Sequence, residues 1–457
     1  MADFDALVLG AGSGGYACAL RAAQLGLTVG LVEQGKLGGT CLHVGCIPTK
    51  ALLHAAEVAD SAREASQFGV NATLDGIDMP GVNAYSEGVV SRLFKGLTGL
   101  ITGRGITVVE GRGLLTGPRE VTVGDTSYTG EHVVLATGSY AKSLPGLDID
   151  GERILTSDHA LLLDKVPASV IVLGGGVIGC EFASVWRSFG AEVTIIEALP
   201  RLVALEDEAS SKALERAFRK RKITMRTGTP FQSVKTTDDG VAVTVEGGDV
   251  LEAELLLVAV GRGPVTEGLG YEQQGVRMDR GFVVTDDRCR TGVENLWAVG
   301  DIVPGLQLAH RGFQQGMHVA EQIAGQTPAT IDETAIPRVT YCQPEVASVG
   351  LTEAQAAEKY GAEAITALTY DLGGNGKSQI LKTQGFVKLV AVKDGPVVGV
   401  HLVGDRVGEL IGEAQLIYGW EAHADDVAPL VHAHPTQNEA LGEAHLALAG
   451  KPLHAHA

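Results

Sequence analysis

Apolar runs of four to six residues recur along the chain, and several end in glycine. Ala6-Leu7-Val8-Leu9 passes without a polar break into Gly10-Ala11-Gly12-Ser13-Gly14-Gly15. Unbroken runs of this length predict strands buried on both faces, as in a parallel sheet. A small-residue stretch through Ala19 and Ala23 predicts a helix, and Thr28 to Val32 a second strand ending at Glu33. The order then repeats. Val170-Ile171-Val172-Leu173 leads into Gly174-Gly175-Gly176-Val177-Ile178-Gly179, a helix passes Ala183 and stops near Gly190, and Val193 to Ile196 ends at Glu197. In both copies the acid stands 23 residues after the first glycine, Gly10 to Glu33 and Gly174 to Glu197. Leu7 to Val32 is apolar enough to suggest a membrane span, but Arg21, Gln24 and the glycines favour strand–helix–strand.

Three more apolar runs end in glycine: Val133 to Gly138, Leu255 to Gly261, and Leu296 to Gly300-Asp301. They predict strands that deliver backbone to the carboxyl edge of a sheet. Alternation from Val241 to Val245 predicts a small antiparallel piece. After Pro337 the pattern changes. Val346–Val349, Phe386–Val392 and Val397–Val403 read as strands and Gly408–Tyr418 as a helix, with no glycine fingerprint.

A single GxGxxG is weak evidence. Two, each with strand before, helix after and an acid at the next strand end, define two dinucleotide sites. The first glycine permits the tight turn, the second lets the backbone approach a pyrophosphate, and the third lets helix and strand pack closely. The helix N-terminus offers unpaired N–H groups and a positive dipole end to phosphate, and the acid accepts from a ribose diol. The fold class is therefore α/β, with two Rossmann-like dinucleotide-binding domains and a C-terminal α+β domain.

Length and composition narrow this picture. A chain of 457 residues implies two to four domains, and 45% hydrophobic residues suffice for packed interiors. Acids exceed bases by 19, which argues against nucleic acid as a partner. No charged and apolar leader precedes Phe4, so a cytoplasmic protein without a membrane segment is expected. Six cysteines are too few for a stapled secreted scaffold. Only Cys41 and Cys46 are close; Cys18, Cys180, Cys289 and Cys342 read as buried small hydrophobes.

Cysteines five apart project about 140° from each other on an ideal helix, so a bond between them needs a distorted segment, and Gly45 supplies the freedom. Three readings stand: a redox-active disulfide, a zinc site with His43, or two inert thiols. Zinc lacks a second ligand cluster, and inert thiols do not account for the adjoining dinucleotide fingerprint. The redox pair is favoured and no metal is expected.

The string Gly38-Gly39-Thr40-Cys41-Leu42-His43-Val44-Gly45-Cys46-Ile47-Pro48-Thr49-Lys50 closely resembles the active-site motif of the class I pyridine nucleotide–disulfide oxidoreductases. The resemblance runs over essentially the whole chain in that family's order of motifs. It implies that Cys41 is the interchange thiol, that Cys46 lies against a flavin, and that Lys50 sits nearby with Glu181 as partner. His434-Pro435-Thr436-Gln437-Asn438-Glu439 resembles the family's C-terminal base motif, which makes His434, rather than His432, the base and Glu439 its orienting acid. The histidines of the tail, His454 and His456, carry no motif.

A thiol pair and a nicotinamide exchange electrons poorly, whereas a flavin accepts both kinds of traffic. FAD is thus assigned to the first site and NAD to the second. The resemblance implies FAD contacts from Gly10, Gly12, Gly15, Glu33, Gly39, Thr40, Lys50, Gly113, Thr137, Gly138, Ser139, Asp301, Ala309 and His310. It implies NAD contacts from Gly174, Gly176, Val177, Ile178, Gly179, Glu181, Glu197 and Gly261. The expected domains are 1–145 for FAD, 146–265 for NAD, 266–337 completing the FAD site, and 338–457 as a dimerisation domain. In this family the base reaches the cysteines of the other subunit, so a homodimer is expected.

Within the family, the run from Cys41 to Lys50, Pro344–Gly350 and Gly408–Glu413 resemble the lipoyl branch, the dihydrolipoyl dehydrogenases. That implies oxidation of protein-bound dihydrolipoamide with NAD, and partnership with the lipoyl and acyltransferase components of 2-oxoacid dehydrogenase complexes or the glycine cleavage system. The alternatives are a glutathione-reductase-like enzyme and a docking flavoprotein without turnover. Mercuric and large thioredoxin reductases use further C-terminal cysteines, and none follows Cys342 here. Gln314-Gln315, Gly263 and His43 depart from the usual lipoyl pattern without removing a group the chemistry needs.

Overall fold

The computed structural model describes residues 2–454; His456 lies outside them. Phe4–Leu9 pairs in parallel with Val29–Glu33 on one side and with the end of Thr126–Leu135 on the other. Thr107–Glu110 and Leu296–Ala298 complete the two edges. Ala6, Leu7, Val8, Val133, Val134 and Leu135 are fully buried, as their unbroken apolar pattern predicts. The strand ending at Leu135 is longer than its apolar run suggests, because its first half pairs antiparallel with Glu120–Val123. Gly130 stands at the changeover. A Cβ there would lie 2.8 Å from the Leu7 side chain, so glycine lets the strand switch partners.

The second copy builds a parallel sheet ordered Thr224–Arg226, Glu192–Ile196, Ser169–Leu173, Leu255–Val258, Ile154–Leu155. Val241–Val245 is the middle strand of an antiparallel three-stranded sheet, as its alternation predicts. After residue 337 five strands form one antiparallel sheet. Val407–Gly419 and Glu439–Leu448 pack on it around Val349, Leu389, Val400, Leu402, Ile411 and Leu441.

Segment 266–337 shares the first sheet's cores. Trp297, Val299, Val319 and Ala320 lie with Ala6 and Val8, and Tyr271, Val283 and Ile302 lie with Leu7 and Leu9. Its helix Ala309–Ile323 packs along the first glycine-rich helix, Ser13–Gln24. The approach is close: a Cβ on Gly316 would fall 2.2 Å from the Gly14 carbonyl oxygen. Cys46–Glu64 packs on the second glycine-rich helix, Val177–Phe189, through Leu52, Ala56 and Ala59 against Phe182, Val185 and Trp186. Cys18, Cys180, Cys289 and Cys342 are all buried. Among the described residues, no helix is long and apolar enough to cross a membrane.

Candidate active site

The two glycine turns are near-copies. Gly10 and Gly174 take φ of +102° and +112°, where a side chain is strained, and a Cβ on either would lie 2.3 Å from a carbonyl oxygen, of Ala136 and Ala259 respectively. Gly15 and Gly179 are packed tighter still, their hypothetical Cβ atoms 1.8 and 1.9 Å from the carbonyl oxygens of Gly10 and Gly174. Gly12 and Gly176 differ from these: a Cβ on either meets no protein atom within 4 Å. The fold itself does not need glycine there, whereas a phosphate approaching the helix N-terminus does.

Both acids serve the turn as well. Glu33 accepts from the N–H groups of Ala11 and Gly35, each at 2.7 Å. Glu197 accepts from Gly175 at 2.6 Å and Leu199 at 2.7 Å. Beside Glu33 opens a cavity of about 320 Å³, lined by Gly10, Gln34, Gly111, Arg112, Gly113 and Thr137 among others. The cavity shares Gly10 and Glu33 with the first glycine turn, and that placement fits the nucleoside end of FAD.

The remaining expected contacts cluster as follows. Thr137 donates to the Val265 carbonyl at 2.5 Å, and Gly138 takes φ of +75°. Ser139 donates to Asp301 at 2.5 Å and accepts from Arg262 Nε at 2.7 Å. Ala309 opens its helix, and the exposed His310 donates from Nε2 to the Pro337 carbonyl at 2.8 Å. Val177 and Ile178 form the first turn of the second glycine-rich helix, and Gly261 takes φ of +103°. A Cβ on Gly39 would lie 2.7 Å from Gly12 Cα, so the cysteine segment is laid directly on the first turn.

That segment is two helices with a break. Gly39–His43 ends at Val44, and Cys46 starts the helix to Glu64. A Cβ on Gly45 would lie 2.8 Å from the Thr40 carbonyl oxygen, so the break closes back on itself and brings Cys46 to Cys41. Both sulfurs are free thiols and half-buried. The neighbouring Cys41 thiol, with Lys50, lowers the Cys46 pKa against the cost of burial. The Cys46 thiol beside it, with burial, drives the Cys41 pKa upward. His43 turns away, donating to the Leu37 carbonyl at 2.9 Å and packing edge-on against Phe94.

Lys50 donates to both carboxylate oxygens of Glu181, at 2.9 and 2.8 Å. Burial works against its charge, but Glu181 outweighs it and holds the Lys50 pKa above its ordinary value. Glu181 also accepts from Tyr341 N at 3.0 Å, so one buried carboxylate joins both glycine-rich units to the C-terminal sheet. The Tyr341 ring lies 4.8 Å from the Lys50 ammonium.

His434 donates from Nδ1 to Glu439 at 2.9 Å, and its Nε2 has no hydrogen-bond partner among the described residues. Burial would raise the Glu439 pKa, but the Thr436 N–H and His434 outweigh it and keep the carboxylate ionised. The His434 side chain is 77% exposed, whereas that of His432 is 10% exposed and spent on Glu413 at 2.8 Å. Among the described residues, no cysteine is a hydrogen-bond partner of His434.

Two positions escape a reading of the sequence. Asn375, buried, donates to the Thr436 carbonyl at 2.9 Å and braces the base loop. Gln315, also buried, accepts from Gly300 N at 2.8 Å and sets the turn that presents Asp301. The Gln314-Gln315 departure was the only signal for the latter; Asn375 carries none.

A thiol pair over an ion pair, flanked by two dinucleotide turns, defines a flavin- and nicotinamide-linked disulfide oxidoreductase. The chain belongs to the pyridine nucleotide-disulphide oxidoreductase family, matching it over residues 4–316 and its dimerisation domain over residues 336–445. It is 39% identical to a dihydrolipoyl dehydrogenase of Bacillus subtilis (strain 168), covering 99% of each chain. It is also 39% identical to the mitochondrial dihydrolipoyl dehydrogenase 1 of Arabidopsis thaliana, over 98% of this chain and 91% of that one. Its structure resembles that of LpdA from Mycobacterium tuberculosis at a TM-score of 0.90 and 26% identity, covering 97% of this chain and 99% of that one.

The openness at Gly12 and Gly176 yields a paired expectation. Gly12→Ala costs the flavin-free protein no more than about 1 kcal/mol, since the methyl meets no protein atom and the only penalty is that of alanine at a helix N-cap. It weakens flavin retention at least tenfold, on the order of one lost backbone–phosphate approach. Gly176→Ala retains flavin and weakens NADH binding instead. Flavin content after dialysis and NADH titration separate the two effects.

Proposed function

We propose that this chain is a dihydrolipoyl dehydrogenase, oxidising the dihydrolipoyl group of a carrier domain with NAD as final acceptor. The observation that carries this is the Cys41–Cys46 thiol pair, folded together by Gly45 beside the Lys50–Glu181 ion pair and set between two matching dinucleotide turns. In the oxidised enzyme the two sulfurs are joined. His434 Nε2 takes a proton from one substrate thiol, and that thiolate attacks Cys41, breaking the disulfide and leaving the electron pair on Cys46. The second substrate thiol then displaces Cys41 from the mixed disulfide, and the cyclic product departs. FAD, which the first glycine turn at Gly10, Gly12 and Gly15 with Glu33 would hold, would supply two-electron transfer between the dithiol and NAD. Lys50 steadies the thiolate on Cys46, and Glu439 steadies the protonated His434.

The exposure of His434 and its isolation from the cysteines support a homodimer in which each subunit provides the base for the other's sulfurs. The dimerisation domain places this chemistry in a family built for pairing. The natural partners are then the lipoyl and acyltransferase components of 2-oxoacid dehydrogenase complexes or of glycine cleavage. Free, buried cysteines suit a reducing cytoplasmic setting.

The deciding assay supplies purified protein with dihydrolipoamide and NAD, and separately with glutathione disulfide and NADPH. Rapid NADH formation in the first alone supports the proposal; turnover in the second alone replaces it with a glutathione reductase. A further expectation concerns the nucleotide. Glu197 at the second ribose position repels a 2′-phosphate, so NAD exceeds NADP in kcat/KM by on the order of a hundredfold. Equal turnover with NADP refutes this role for Glu197.

A further inference from the structure

The second glycine turn is held from outside its own domain. Val203 N donates to the Gly175 carbonyl at 2.8 Å, and the Leu202 side chain fills the space beside Gly175. With Glu197 on its N–H, the Gly175 peptide is pinned at both ends. Val203 itself takes φ of +41°, a conformation costly for a β-branched residue. Such a backbone persists only where its surroundings over-determine it.

What holds it lies at Glu206 and Asp207, both buried. Glu206 N donates back to the Val203 carbonyl at 2.8 Å. Its carboxylate accepts from Ser348 and pairs with Arg338 Nε at 3.0 Å. Asp207 caps the helix Glu208–Lys220 through Ala209 N at 2.9 Å. It also takes Lys388 Nζ at 2.7 Å and Glu353 N at 3.1 Å. Arg338, Ser348 and Lys388 all stand on strands of the C-terminal sheet. His401, fully buried beside them, is pushed down to about 4 by burial and stays neutral. A buried ionic cluster is weak evidence for stability and better evidence for a specified geometry.

We infer that Lys388 and Asp207 are positioning residues for the nicotinamide dinucleotide: by anchoring the strained Val203 loop on the C-terminal domain, they set the affinity of the second glycine turn. The inference rests on the reading that this turn binds NAD.

The test uses flavin-loaded dimer and NADH as probe. Lys388→Met weakens NADH binding and raises the KM for NAD about tenfold, with kcat within about twofold. Flavin reduction by dihydrolipoamide without NAD stays unchanged. Adding Val203→Gly to Lys388→Met restores most of the affinity, because glycine adopts the positive φ without the anchor. Should Lys388→Met fail to fold, Glu206→Gln, which keeps its hydrogen-bond acceptor, shows the same split at about threefold. A folded Lys388→Met or Glu206→Gln with wild-type NADH affinity overturns the inference, as does loss of dithiol reduction in parallel with NADH binding. A wild-type protein that binds no NADH overturns instead the reading on which it rests.

Discussion

Cys41→Ser abolishes turnover of dihydrolipoamide with NAD, by more than about a thousandfold, while the purified protein stays yellow. A serine hydroxyl cannot enter thiol–disulfide exchange, since no sulfur is present to be attacked or displaced. The fold tolerates the change. Cys41 sits half-buried in the short helix Gly39–His43, and its neighbours are set by Gly45 and Gly39. The open space at Gly12 and the cavity beside Glu33 do not involve Cys41. Flavin content by absorbance, and NADH oxidation by an artificial acceptor, check the two halves. If the serine variant still turns over dithiol, the exchange role of Cys41 is lost.

His434→Gln lowers kcat/KM for the dithiol by about 10³, within the range for loss of a general base. Glutamine donates to Glu439 much as Nδ1–H does, so the loop built by Thr436 and Glu439 survives. What disappears is the bare Nε2. His432→Gln costs far less in the chemical step, because its ring is buried on Glu413. Rapid-mixing measurements distinguish these: the dithiol half-reaction slows in the first variant, and NADH-driven flavin reduction changes in neither. Equal defects in the two histidine variants would sink the assignment.

The two glycine units were legible because a tight turn, an open helix end and a close helix–strand contact each demand glycine at a set spacing. The structure repeats the demands at Gly10 and Gly174, Gly12 and Gly176, Gly15 and Gly179. The Lys50–Glu181 pair spans 131 residues and came only through family resemblance, since no local pattern links them. Spacing alone does not separate His432 from His434; their different acids do. Helix Met79–Gly103 passed unread, because glycines at 81, 88, 96, 99 and 103 erase its propensity signal. Asn375 and Gln315 act on backbone groups of distant loops, a kind of contact that leaves no trace in residue periodicity.

The late return of Leu296–Ala298 to the first sheet has a consequence during synthesis. Thr126–Leu135 acquires its second parallel neighbour, and Ser13–Gln24 its covering helix, only after some three hundred residues have left the ribosome. Until then the N-terminal sheet presents an open edge and an uncovered apolar face, the exposure that invites aggregation. The nascent chain must therefore shelter its oldest strands while the youngest are still being translated, and a gene cut between the two glycine units would yield no self-sufficient half.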